Sequence, residues 1–240
     1  MTRHSTGAAA IALLALVLAG CDGGDGGDTE ESAPTPDTEV TAPAEDEAQE
    51  AEPVEAAPAS IDDLVATLLL PEELPSGGWE LLSAGPDAED GSSGGVCTFD
   101  LDDAVPADAP AVEASYTNNT LMTFATEGLA QVPDAEAVLA GILTELEACV
   151  GQAEATTDDG TTALVTSQPL DLAVPGAPVG ACRYAESVVD GTPLYGPFCF
   201  GASGDRMLMF AALSPDPNGG LTPDELTAAL TAATAKAFAG

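Results

Sequence analysis

Four cysteines, Cys97, Cys149, Cys182 and Cys199, are spread through residues 59–240, the part of the chain that carries regular apolar periodicity. No two of them form the Cys-x-x-Cys pair that structural zinc sites commonly use, so a metal centre is not expected. An even number of cysteines points instead to disulfides, which persist mainly on the exported side of a membrane. Three pairings are possible. We expect the nearest-neighbour pairing, Cys97–Cys149 and Cys182–Cys199. The second pair flanks Asp190-Gly191, a hairpin signal that should bring its ends together across adjacent strands. In the loop-entropy model the two bridges would contribute about 4 and about 3 kcal/mol.

The start of the chain agrees with export. Met1-Thr2-Arg3-His4 is short and cationic, and Gly7 to Ala19 is apolar and uncharged. That run is shorter than the roughly 20 residues a membrane-spanning helix needs. It suits the apolar core of a signal peptide, residues 1–20. Leu18-Ala19-Gly20-Cys21 then resembles the bacterial lipobox, in which cleavage leaves the cysteine first and a diacylglyceryl thioether anchors it. Cys21 is the candidate lipidation site, and the membrane is a partner through that anchor. The protein is accordingly placed on the extracytoplasmic face of a bacterial cell membrane.

Residues 21–58 read as a lipidated, disordered acidic linker. From Asp22 to Pro58 there are thirteen acidic residues, no cation and no aromatic. Such a segment buries too little apolar surface to offset the entropy of ordering it. As a coil its 37 residues would span about 30–35 Å, a spacer between membrane and domain.

Charge excludes some partners. Asp+Glu 41 against Lys+Arg 4 gives a formal net charge of −37. Nucleic acid, which is bound through clustered cations, is not an expected partner. Charge of one sign also opposes self-association, so a monomer is expected. After residue 20 the cations are Arg183, Arg206 and Lys236, and the single histidine, His4, belongs to the signal. The mature chain then has no imidazole for a Ser-His-Asp, Cys-His or His-metal site. We expect no catalytic residues, no cofactor and no enzyme; a carboxylate-dependent hydrolase is the remaining catalytic alternative.

The apolar pattern outlines an α+β domain over 59–240. Ser60-Ile61-Asp62-Asp63 opens a helix lasting to Pro71, and Trp79-Glu80-Leu81-Leu82 begins a strand. Val96 to Phe99 is a short strand. Ala111–Tyr116 and Leu121–Ala125 form a hairpin turning at Asn118-Asn119, and Asp134 to Val150 is a helix with Ala135, Val138, Ile142, Leu146 and Cys149 along one stripe. Further strands are read at Thr162–Ser167, Ala181–Val189, Phe198–Ala202 and Arg206–Leu213, the last apolar on both faces and therefore central. Thr222-Pro223-Asp224-Glu225 is a full capping box for a final helix to about Phe238. Asn118-Asn119-Thr120 fits a glycosylation sequon by pattern alone.

This layout resembles the extracytoplasmic sensor domains of actinobacterial lipoproteins and of PknH-type receptor serine/threonine kinases. The resemblance lies in the opening "LVATLLLPEELPSGGWELL", Gly95-Val96-Cys97, the helix ending Leu146-Glu147-Ala148-Cys149, and "CRYAESVVDGTPLYGPFC". It implies the same disulfide pairing, a strongly bent antiparallel sheet flanked by helices, and a cleft for an unknown ligand. A lipid anchor here stands where those kinases have a transmembrane segment. The expected function is non-catalytic, sensor-like binding of a small ligand, an envelope component or a protein partner, and the alternative is an interaction scaffold without a pocket. Arg183 and Arg206 are the candidate anchors for an anionic group, since guanidinium matches carboxylate or phosphate bidentately. Tyr195, with Tyr184, is a candidate lining residue, and Trp79 reads as a core anchor. Intact-mass analysis of the exported protein should show diacylglyceryl on its first residue, Cys21, and Cys21→Ser should release the protein from the membrane without that mass.

Overall fold

The computed structural model describes residues 59–86, 95–99, 101, 105–106, 108–156, 161–189 and 191–239. The signal, lipobox and linker readings, Cys21 included, lie outside the described residues. Within them the chain forms α1 (Ile61–Val65), β1 (Glu80–Pro86), β2 (Ala111–Asn118), β3 (Thr123–Gln131), α2 (Ala135–Ala148), β4 (Gln152–Thr156), β5 (Thr162–Leu170), β6 (Val179–Val189), β7 (Thr192–Ser203), β8 (Arg206–Leu213) and α3 (Pro223–Ala237). The eight strands make one antiparallel sheet in the order β1-β2-β3-β8-β7-β6-β5-β4.

Strand β8 is buried along almost its whole length. Met207, Met209, Ala211 and Leu213 enter one core, with Leu139, Ile142 and Leu146 of α2. Leu208, Phe210 and Ala212 enter the other, with Leu64 of α1 and Leu226, Ala229, Leu230 and Ala233 of α3. The central position read from its two apolar faces is the one it occupies. Two meanders, β1 to β3 and β4 to β8, meet at the β3–β8 pair. Helix α2 links them, packing over β6, β7 and β8 on its way from the middle of the sheet to β4 at the far edge.

Cys97 is bonded to Cys149 and Cys182 to Cys199. The first bridge fixes the end of α2 to the segment between β1 and β2. The second joins residues directly opposite each other on β6 and β7. Gly191, at φ +78°, supplies the left-handed backbone of the connecting turn between the paired Val189 and Thr192. Asp190 lies outside the described residues.

Several expectations change in tertiary context. Val96–Thr98 is a 3-10 turn, not a strand, and it ends at Phe99 in a left-handed conformation (φ 66°). Phe99 stacks on Phe198 with ring centroids 4.2 Å apart. That contact and the Cys97 bridge hold the segment on the core as a turn. The first helix keeps its capping box at Ser60 and Asp63 but stops after Val65. Strand β4 was absent from the sequence expectation. The sequon is consumed by structure: the side-chain amide of buried Asn118 donates to the Gly77 carbonyl at 2.8 Å, and its oxygen accepts the N–H groups of Thr120 and Leu121. Trp79 is a core residue whose indole N–H donates to the Pro75 carbonyl at 2.7 Å.

At Gly196 on β7 the backbone passes so close to β8 that a Cβ would lie 1.9 Å from the Ala212 carbonyl oxygen. Backbone atoms in the middle of a sheet cannot step aside. Gly196→Ala should therefore cost at least about 2–3 kcal/mol, read as a lower denaturant midpoint at unchanged m value.

Candidate functional site

The end of β8 and the start of α3 frame an open cleft of about 450 Å³. Its floor is Gly196 and Pro197 of β7 with Ala212 of β8, one wall is Leu170–Leu172, and the opposite wall is Pro217–Pro223 with Leu226. Local chemistry shapes the second wall. The Asp216 carboxylate accepts the Asn218 N–H at 2.9 Å, and the Gly219 N–H donates to the Asp216 carbonyl at 2.9 Å, closing a turn after Ser214. Thr222 then caps α3: its hydroxyl accepts the Glu225 N–H, and the Glu225 carboxylate accepts the Thr222 N–H and hydroxyl. Tyr184 of β6 spans the cleft, its hydroxyl 3.4 Å from the Pro217 carbonyl it donates to. Burial, with Tyr195 and Glu186 nearby, raises the Tyr184 phenol above its ordinary range.

Of the residues singled out from sequence, Tyr184 lines this cleft. Tyr195 is on the same sheet face, its backbone bridged to Ser214 at 2.8 Å in both directions. Arg183 is on the opposite, α2-covered face, opposite Phe198 in the β6–β7 pair. It is buried, with Nε donating to the Ser167 hydroxyl at 3.0 Å and Nη2 to the Ser167 carbonyl at 3.4 Å. Arg206 starts β8, at the end away from the cleft, with Nε 3.8 Å from Asp205. Its Nη1 is buried without a hydrogen-bond partner among the described residues. The fold does not bring Arg183, Arg206 and Tyr195 into one site. Among the described residues no group of three or more His, Cys, Asp or Glu side chains is arranged to hold a metal ion.

A second constellation escaped the sequence reading. Glu127 of β3 is 1 % exposed and sits between Ala125 and Leu129 on the face covered by α1 and α3. Its Oε2 accepts the Leu69 N–H at 2.7 Å. The buried Tyr116 hydroxyl donates to the Leu69 carbonyl at 2.7 Å, with Glu127 Oε2 3.2 Å away as the alternative acceptor. From α3, Lys236 Nζ reaches the Leu68 carbonyl at 2.5 Å and the Glu73 carboxylate at 2.7 Å. The Leu69 amide is therefore engaged by side chains from distant parts of the chain. An acid at Glu127, in register with Ala125 and Leu129 on an otherwise apolar strand face, was the available signal.

No family model matches the chain, and no curated protein does. Among solved structures it is similar to the extracellular domain of PknH from Mycobacterium tuberculosis, with a TM-score of 0.57 at 12% identity, over 77% of this chain and 99% of that one. At this identity the likeness concerns the fold alone. Among the described residues no helix is long and apolar enough to cross a membrane.

Burial pushes the Glu127 carboxyl up to about 7, against the opposing pull of the Leu69 N–H, Tyr116 and Lys236. A carboxyl that is harder to ionise folded than unfolded stabilises the fold when protonated. That contribution is complete below about 4.5 and is lost as pH rises through about 7, a span on the order of 3 kcal/mol. Glu73, held low chiefly by Lys236, works in the opposite direction and loses its contribution as pH falls. Glu127→Gln, measured by denaturant unfolding from pH 5 to 8, should gain stability over the parent progressively toward pH 8; a difference that does not vary with pH contradicts this.

Proposed function

We propose that this is an exported, lipid-anchored envelope protein whose domain binds a small ligand without transforming it. The cleft carries the reading: about 450 Å³, a mainly apolar wall, and a few polar side chains at its edge, the size and character of sites that take small molecules. The two disulfides and the likeness to an extracellular domain support export. The lipobox-like Leu18–Cys21 and the acidic segment behind it support a lipid anchor on a long spacer. Among the described residues that line the cleft the ionisable side chains are Asp171 and Tyr184, with no cysteine, histidine or lysine, which supports binding over nucleophilic catalysis.

A second reading, recognition of a protein, is favoured by edge strand β1. Leu81 and Leu82 are 46% and 44% exposed there, beside a bulge in the β1–β2 register. Native mass spectrometry of the protein purified from its own envelope separates the two. A co-purified small-molecule mass that disappears in Leu172→Trp, which fills the cleft, is the expected result. A bare protein, or a retained mass in that variant, overturns ligand binding in the cleft; a protein partner lost in Leu81→Asp favours the edge.

A further inference from the structure

The cleft has a charge sign, which follows from where every cation of residues 21–240 has gone. Those cations are Arg183, Arg206 and Lys236. Arg183 is held by Ser167 under α2, on the other face of the sheet. Lys236 is bonded to Glu73 and the Leu68 carbonyl at the last turn of α3, whereas the cleft adjoins the first. Arg206 lies at the far end of β8 beside Asp205. None of them lines the cleft.

The remaining attraction for an anion would be the α3 N-terminus, and it is occupied from within. The Thr222 N–H is bonded to the Glu225 carboxylate at 2.8 Å and the Glu225 N–H to the Thr222 hydroxyl at 3.3 Å. Hydrogen bonds from Ser76 and Thr222 keep Glu225 ionised, so its negative charge sits where an anion would otherwise be drawn. On the facing wall Asp171 is exposed, between Leu170 and Leu172. An incoming anion therefore meets the Asp171 carboxylate and no counter-charge among the residues that line the cleft. A cation meets Asp171 at the rim and, elsewhere in the same lining, the tyrosine ring of Tyr184, a surface to which ammonium groups are attracted.

We propose that the ligand is a small apolar molecule carrying an amine or quaternary ammonium group, with Asp171 as its counter-ion and the leucine and proline wall covering its apolar part. This rests on the cleft being a ligand site at all. The test distinguishes the two by using three fluorescent probes of one shape: diphenylhexatriene, its trimethylammonium derivative and its propionic acid derivative. Binding to the folded protein should be tightest for the trimethylammonium probe, about fivefold tighter than the neutral one, and weakest for the propionate. Asp171→Asn should bring the cationic and neutral probes to within about twofold of each other. Leu172→Trp should weaken all three, with Leu221→Trp as a second blocking variant. If the cationic preference survives Asp171→Asn, it comes from the general field of an acidic protein and the assignment falls. If the neutral probe binds in the cleft but the charged ones follow no such order, the ligand class falls and the site stands. If no probe binds, or the blocking variants leave binding unchanged, the site itself falls.

Discussion

A strand with apolar side chains on both faces cannot lie on the surface of a two-layer domain, and β8 is such a strand. Leu208, Phe210 and Ala212 must be covered from one side, and Met207, Met209, Ala211 and Leu213 from the other. The chain meets this by splitting its helices. Helix α2, the long crossover between the two meanders, closes one face, while α1 and α3 close the other. The Cys97–Cys149 bridge secures the crossover to the β1–β2 segment, and Cys182–Cys199 secures the β6–β7 pair beside β8. Each link reinforces an element that covers or borders the central strand.

Placing α3 on the sheet also creates the cleft. The helix begins only after the turn at Ser214–Gly220, so its first residues stand off from β6 and β7 while its later ones pack against β8. The same helix carries Lys236 to the Leu68 carbonyl and Glu73 at its other end. In a chain with so few cations, that placement decides where negative charge is neutralised and where it is left uncompensated.

Elements whose hydrogen bonds are local were legible before the fold was known. Thr222, Pro223 and Glu225 complete a capping box within four residues, and α3 begins where they place it. The two-faced apolar run marked β8 from Arg206 to Leu213, as observed. Elements decided at long range were not. The first helix ends early: past Val65 the N–H groups of Thr67 and Leu68 turn to carbonyls three residues back, and that of Leu69 goes to Glu127 fifty-eight residues away. The segment at Val96 became a turn because Cys149 and Phe198, both distant in sequence, hold it. Strand β4, short and carrying no β-branched apolar side chain, exists through its pairing with β5. Arg183, Arg206 and Tyr195 attracted notice by rarity and position, but sequence has no means of saying that Arg183 faces α2 while Tyr184, one residue on, faces the cleft.

What the amino-acid order determined by itself was therefore everything set within one or two turns of chain: capping boxes, alternating strands, the hairpin turning at Gly191, the shortage of cations and the supply of cysteines. Only the tertiary structure decided which residues meet. The register of β3 against β8 and of β6 against β7 joins positions far apart in sequence, and in a sheet a one-residue change of register moves every side chain to the opposite face. The cleft, the buried Glu127 and the separation of the arginines from both depend on that register, which no local pattern encodes.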